Sequence, residues 1–253
     1  MKHVNPHPNR RALLVAGVSL LALTACESVI PGQGPPPRLY RLTPKTAFEG
    51  VKKVKWQLVV EPPSAQASID SPRIGLMLSP LRFDYYAQAN WVDRAPLMVQ
   101  SLIIESFDNS NAIVAVGRES IGLRPDYVLK SELREFQAEQ RDGTHVVNVA
   151  LNVKLVQMPE RQIMASADFD YNVPAPPNQL DPVIAAFDEA LGKVLKQVVI
   201  WTLTEGEIAE TKRTRSLQRP DETPAQRPRR DAPSVRKSSN IPRLQRPQGS
   251  NTG

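Results

Sequence analysis

One stretch of the sequence constrains the fold more than any other, because large apolar residues occupy every second position in it. It is HVVNVALNVKLV, residues 145–156. Its apolar side chains fall on one side of an extended chain, namely Val147, Val149, Leu151, Val153 and Leu155, and Asn148, Ala150, Asn152 and Lys154 fall on the other. A period of two over this length predicts a strand with one buried and one solvated face.

The segments on either side extend this strand into a sheet. Residues 163–171 alternate in the same way after the turn sequence MPERQ, and residues 127–136 come before the turn sequence RDGT. Because short turns of this kind join antiparallel strands, we predict a three-stranded antiparallel meander. Shorter strands are predicted at residues 56–60, 73–78 and 113–116.

Two segments have a helical period instead. The first is predicted to begin at Asp93 or Arg94, with Pro96 in its first turn, where a missing N–H is harmless. The second has Asp181 as its predicted cap and an apolar stripe with a spacing of three and four residues: Ile184, Phe187, Leu191, Val194, Val198 and Trp201. The sequence therefore predicts an α+β fold, a single domain with a mostly antiparallel sheet and two helices packed on one face.

The beginning of the chain has the pattern of an export signal. Three basic residues precede an apolar run of 12 residues, 12–23. A helix that spans a membrane needs about 20 residues, whereas this length fits the apolar part of a signal peptide. The pair Arg10-Arg11 also leaves export by a twin-arginine route open.

The chain has a single cysteine, and it stands directly after this run in the sequence Leu23-Thr24-Ala25-Cys26. These residues resemble a bacterial lipobox. The resemblance implies cleavage between Ala25 and Cys26, a diacylglycerol on the Cys26 sulfur and an N-acyl chain such as palmitate, and no other cofactor is expected. Three chains anchor far more firmly than one. Glu27 favours the periplasmic face of the outer membrane over the inner membrane, and the alternative to lipidation is a short buried helix with an inert cysteine.

Composition divides the chain into four parts. We predict a lipoprotein signal peptide at residues 1–25, a Pro/Gly-rich tether at 26–38, a folded domain at 39–210 and a disordered basic tail rich in Pro and Arg at 211–253. The tail holds 11 Lys and Arg residues against 3 Asp and Glu, so the net charge of +6 arises outside the acidic folded domain. An exported protein does not meet nucleic acid. The tail is therefore expected to contact anionic lipid or peptidoglycan, or only to keep the protein soluble.

The sequence offers no recognisable catalytic or metal-binding set. His145 is the one histidine beyond the signal peptide, and a single histidine does not make a usual metal site. It is predicted to be a solvated strand residue. Asp168 and Asp170 alternate on the polar face of a strand, which solvation explains. We therefore expect neither an enzyme nor a metal centre.

Residues 71–107, SPRIGLMLSPLRFDYYAQANWVDRAPLMVQSLIIESF, stand between the motif LYRL at 39–42 and the segment YVLKSELREFQAE at 127–139. Together with the lipobox, this arrangement resembles the ABC-type transport auxiliary lipoproteins, over most of residues 26–205. That family accompanies MCE-domain proteins and is similar to the lipoprotein of the paraquat-inducible intermembrane transport system. The resemblance implies a non-catalytic role in lipid transport between the membranes, with an MCE-domain protein as the conduit and an ABC permease and ATPase supplying the energy.

An aromatic cluster before the first helix supplies the candidate partner contacts. Tyr85, Tyr86 and Trp91 are predicted to lie in a loop with Arg94 beside them, and exposed aromatic residues are favoured at interfaces. The alternative is that Trp91 packs against the core and Arg94 only neighbours a helix cap.

Two other functions stay open at this level. One is a structural or assembly lipoprotein of the outer membrane that contacts peptidoglycan or envelope machinery. The other is a carrier that binds lipid in its own cavity, because a lipid groove has only apolar positions as its signature. Association of identical copies and the nature of the transported lipid are left undecided.

Overall fold

The computed structural model describes residues 35–122, 124–177 and 179–218. The predicted signal peptide, Cys26, most of the tether and the tail beyond residue 218 lie outside these residues. The strands are β1 Arg38–Tyr40, β2 Gln57–Val60, β3 Ser64–Ala65, β4 Arg73–Ser79, β5 Arg82–Trp91, β6 Ala115–Gly117, β7 Tyr127–Arg141, β8 Thr144–Gln157 and β9 Gln162–Ala175. The helices are α1 Ala95–Ser110 and α2 Leu180–Gln218, and a 3-10 turn covers Glu119–Ile121.

The predicted meander is confirmed. Strand β8 pairs with β7 on one side and with β9 on the other, in both cases antiparallel. Asp142 and Gly143 form the β7–β8 turn with φ angles of 46° and 79°. Two positive φ angles match the right-handed twist of the paired strands, which explains why a Gly follows an Asp there.

The prediction of a mostly antiparallel sheet is wrong, because the sheet is mixed. The second edge of β7 pairs in parallel with β2, then with β3, then with β4. Strands β1 and β5 are also parallel, as are β2 and β6. Parallel neighbours need a long crossover connection, and the chain between the parallel strands β2 and β6, which contains β3, β4, β5 and α1, is one such connection. Periodicity reports which face of a strand is buried and carries no information on its direction. The predicted α+β class is therefore correct, whereas the predicted strand directions are not.

Both helices bury their apolar sides in one core, which we call the main core. Phe187, Leu191, Val194 and Val198 of α2 are each at most 1% exposed, as the apolar stripe predicts. The Phe187 ring lies 5.1 Å from that of Trp91 and 5.1 Å from that of Phe136, measured between centroids. Full burial of one such side chain stabilises the fold by roughly 1.5–3 kcal/mol.

Neighbouring residues of β7 and β8 point alternately into the main core and away from it. Leu129 and Leu155 belong to the main core, whereas Val128 and Val156 join Val59 in a separate apolar cluster. We call the surface of β7, β8 and β9 that faces away from the main core the outer face.

The ends of the helices differ in detail from the predictions. Helix α1 begins at Ala95 with Pro96 in its first turn, as expected. Asp181 was predicted to cap α2 but lies inside its first turn, where its carboxylate accepts a hydrogen bond of 2.9 Å from the Tyr40 hydroxyl. Helix α2 also continues to Gln218, beyond the predicted domain end at residue 210. The chain divides into compact units at Thr211, and the described part of the second unit is the helical segment 212–218.

Candidate functional site on the outer face of the sheet

The predicted partner contacts do not lie in a loop. Tyr85, Tyr86 and Trp91 belong to β5, and Arg94 directly precedes α1. Aromatic side chains are favoured in strands as well as at interfaces, and this explains the wrong assignment. The Tyr85 hydroxyl donates a hydrogen bond to the Ser68 carbonyl at 3.2 Å, and the Arg73 guanidinium lies over the Tyr85 ring.

The structure does not bring these four residues together as one exposed patch. Trp91 is 1% exposed and packs in the main core, as the alternative interpretation has it. Arg94 is exposed and forms an ion pair with Asp70, with its Nε 2.9 Å from a carboxylate oxygen. This hydrogen bond raises the pKa of Arg94 and ties the start of α1 to the segment before β4. Arg94 is thus the member that is exposed, whereas Tyr85 and Tyr86 are half-buried.

The prediction that His145 is solvated is wrong. Its side chain is 7% exposed, and its Nδ1 lies 2.9 Å from the Tyr86 hydroxyl. Burial lowers the pKa of His145 and raises that of Tyr86 to about 12. The pair therefore stays neutral around pH 7 and links β5 to the first residues of β8. A histidine next to a turn is expected to be exposed. In the folded chain Tyr86 of β5 packs against His145 and helps to bury it.

The outer face contains a cavity of about 490 Å³ near the N-terminal end of β7. Its floor is the cluster Val59, Val128 and Val156, which are at most 7% exposed, with Met158 partly buried beside them. Ile163 stands at its edge and is 57% exposed. A cavity of this size falls within the range of about 300–1,000 Å³ that is usual for small-molecule pockets.

Charged side chains surround this apolar floor. Lys130 forms an ion pair with Glu61, with its Nζ 2.7 Å from a carboxylate oxygen. Lys154 is the register partner of Lys130 on β8, and Arg161 lies in the β8–β9 turn. Neither Lys154 nor Arg161 has an ion-pair partner among the described residues, and both are exposed. Glu119 is the other acidic residue in the lining, so the rim has a net positive charge.

A second cavity of about 410 Å³ lies further along the outer face and is polar. Ala150 is at its floor, with Glu135 opposite it on β7 and Asp170 opposite it on β9. Asn148 is 1% exposed, and neither amide atom has a hydrogen-bond partner in the described structure. Burial and the neighbouring carboxylates of Glu139 and Asp170 raise the pKa of Glu135. This cavity is therefore suited to water or another small polar molecule.

The two aspartates of β9 behave as a solvated strand face predicts. Asp168 accepts a hydrogen bond of 2.7 Å from Arg134 and one of 2.8 Å from Asn152, and is exposed. Within the described residues no group of three or more His, Cys, Asp or Glu side chains is arranged to hold a metal ion.

Sequence reasoning missed the 490 Å³ cavity, although one signal for it was present. Val156 breaks the alternation of β8, because it places an apolar residue on the polar side next to Lys154. Residues 128 and 130 carry the same two residue types in the reverse order, Val then Lys, on the neighbouring strand. Only the register, which sets Val128 opposite Val156 and Lys130 opposite Lys154, shows that they form one surface.

Comparison with known proteins identifies the family. Residues 40–199 match the family described as "ABC-type transport auxiliary lipoprotein component". The chain belongs to this family. The match spans strands β2 to β9 and about half of α2, so the auxiliary-lipoprotein assignment applies to the domain that contains both cavities.

A solved member of similar fold is protein XCC0632 from Xanthomonas campestris. It is 31% identical to this chain, with a TM-score of 0.62, and the match covers 69% of this chain and 99% of that one. An uncharacterized protein from Bradyrhizobium diazoefficiens is 27% identical over 167 residues, which are 64% of this chain and 43% of that protein. This chain thus spans less than half the length of that relative.

The family description is of an auxiliary component rather than a catalytic one, and of a lipoprotein, which is held at a membrane. None of the described helices combines the length and the apolar character needed to cross a membrane.

Proposed function

We propose that this protein is a membrane-anchored periplasmic lipoprotein that serves as a non-catalytic auxiliary component of an MCE/ABC-type lipid transport system. In this proposal an inner-membrane permease and ATPase supply the energy, and an MCE-domain protein forms the conduit. The lipoprotein stands at the outer-membrane end, held by the acyl chains on Cys26. The observation that carries the proposal is the family match across residues 40–199.

The surface chemistry is consistent with docking rather than catalysis. Arg94 offers an exposed guanidinium at the junction of β5 and α1, and Tyr85, nearer the start of β5, offers a half-buried ring. Tyr and Arg are enriched at the centres of protein interfaces. We assign the contact with the MCE-domain protein to this junction. The basic segment 211–253 would add attraction to anionic lipid or peptidoglycan, which weakens as salt increases.

Purification of the tagged full-length protein from crosslinked envelopes of its own organism tests the proposal. We expect the MCE-domain protein, permease and ATPase to be recovered with it, and the lipoprotein to fractionate with the outer membrane. Arg94→Ala should reduce this recovery, whereas Lys52→Ala, which removes an exposed charge elsewhere, should not. Recovery of peptidoglycan fragments without any MCE-domain protein would instead support the structural role.

A further inference from the structure

The 490 Å³ cavity of the outer face combines an apolar floor with a positively charged rim. Its floor is apolar and separate from the main core, and it consists of Val59, Val128 and Val156. Its rim holds Lys154 and Arg161 without ion-pair partners among the described residues. The three valines are only 4–7% exposed, and Ile163 is the lining residue that leaves a large apolar surface in contact with water, at 57% exposed.

The register of the strands makes the charge on this rim costly. Lys154 lies directly opposite Lys130 in the antiparallel β7–β8 pair, and like charges in this position repel. Glu61 neutralises Lys130 through both of its carboxylate oxygens, at 2.8 and 2.7 Å. The Lys154 ammonium is left without such compensation, so an anion bound there would relieve the repulsion.

Arg161 supplies a second cation from a different element. It has a φ of 58° in the β8–β9 turn, a position at which Gly or Asn is usual. Its planar guanidinium can bind two oxygens of a phosphate or carboxylate at once. Ile163, two residues later and 57% exposed, continues the apolar surface outward from the floor.

We propose that this cavity binds a single apolar chain of an anionic amphiphile, with its phosphate or carboxylate head held between Lys154 and Arg161. The size of the cavity suits one chain rather than a folded partner, and the net positive rim selects an anionic head. The biological meaning of this ligand class rests on the proposed role in lipid transport, whereas the binding itself needs no transport partner.

Isothermal titration calorimetry with dodecyl phosphate, below its micellar concentration, tests the inference. The protein is the full-length Cys26→Ser chain purified without detergent, so that no acyl chain of its own can enter the cavity. We expect one site per chain, and about fifteenfold weaker binding of decyl phosphate, because it lacks two methylenes and each buried methylene contributes roughly fourfold in affinity. Inorganic phosphate and dodecyltrimethylammonium should show no measurable binding, since each lacks either the chain or the anionic head.

Variants locate the site. Lys154→Ala and Arg161→Ala should each weaken dodecyl phosphate binding about tenfold, and Ile163→Ser should weaken it without changing the preference for an anionic head. All three side chains are exposed, so the variants should keep the melting temperature of the parent. Arg82→Ala and Leu81→Ser are matched controls in the β4–β5 hairpin, where β4 pairs with the opposite end of β7, and should bind as the parent does.

Two results would overturn the inference. One is unchanged binding in the folded Lys154→Ala, Arg161→Ala double variant. The other is equal affinity for dodecyl phosphate and dodecyltrimethylammonium, which would mean a nonspecific apolar surface. Neither result bears on the proposed docking to an MCE-domain protein, and loss of that docking would leave the titration unaffected.

Discussion

Gly206 is the position at which the packing of α2 against the sheet can be tested most sharply. A Cβ added there would lie 2.4 Å from Cζ2 and 2.8 Å from Cε2 of Trp56. Trp56 is 3% exposed, and its ring meets Tyr127 edge to face at 5.1 Å between centroids. The indole is therefore buried, and moving it would disturb its contact with Tyr127.

The expected sign of Gly206→Ala follows from two opposing effects. Alanine in place of glycine inside a helix stabilises by about 0.8–1.0 kcal/mol. Forcing a methyl into a packed core costs typically 1–3 kcal/mol. A contact of 2.4 Å with a ring atom of a rigid side chain belongs at the upper end of that range, so we expect net destabilisation of about 1–2 kcal/mol. For a domain of this size that corresponds to a decrease in melting temperature of roughly 2–8 °C.

Gly192 offers a matched control in the same helix. A Cβ built there meets nothing within 4 Å. Gly192→Ala should therefore gain the higher helix propensity of alanine without a steric cost, and raise the melting temperature. Thermal unfolding of both variants in the full-length Cys26→Ser chain, followed by circular dichroism, measures the difference. If Gly206→Ala melts as high as Gly192→Ala, α2 does not lie against Trp56 as described.

Three further predictions address the core, the anchor and the response to pH. Leu191→Ala should destabilise by about 2–5 kcal/mol, because Leu191 is 1% exposed in the main core; an unchanged melt with lost recovery of the MCE-domain protein would instead make the α2 stripe a docking face. Cys26→Ser should abolish incorporation of labelled palmitate, and label that persists in the variant would contradict lipidation at this residue. Burial lowers the pKa of His145, so the unfolded chain binds a proton more readily, and stability should decline as the pH falls through about 6.5. Between pH 7.5 and 5 the melting temperature should decline more steeply for the parent than for His145→Gln. An equal decline in both would contradict a role of His145 in the pH dependence of stability.

Local pattern predicted well wherever one face of an element is buried and the other is not. Residues 145–156 alternate because the main core takes every second side chain of β8, and the stripe on α2 follows from the same core on the other side. The start of α1 was also predictable, because Pro96 tolerates only the first turn of a helix.

Relations between distant segments were not predictable in this way. Tyr86 and His145 each have an ambiguous local pattern, and their burial arises because β5 brings one hydroxyl to within 2.9 Å of the imidazole. The sequence left open whether Trp91 contacts a partner or packs in the core, and the structure decides for the core, where Phe187 of α2 and Phe136 of β7 contact its ring.

The sequence by itself predicted an anchor at Cys26, which stays a prediction. It determined the basic composition of residues 211–253, the three meander strands and the faces that two helices bury, since all of these depend on residues that are neighbours along the chain. The tertiary structure alone decided the direction of the strands, the fate of the aromatic cluster and the cavity of the outer face. These depend on which edge of β7 each segment reaches. Val59, Val128 and Val156 come from three separate strands, and no local period connects them, so their meeting under Lys154 and Arg161 becomes visible only when the chain is folded.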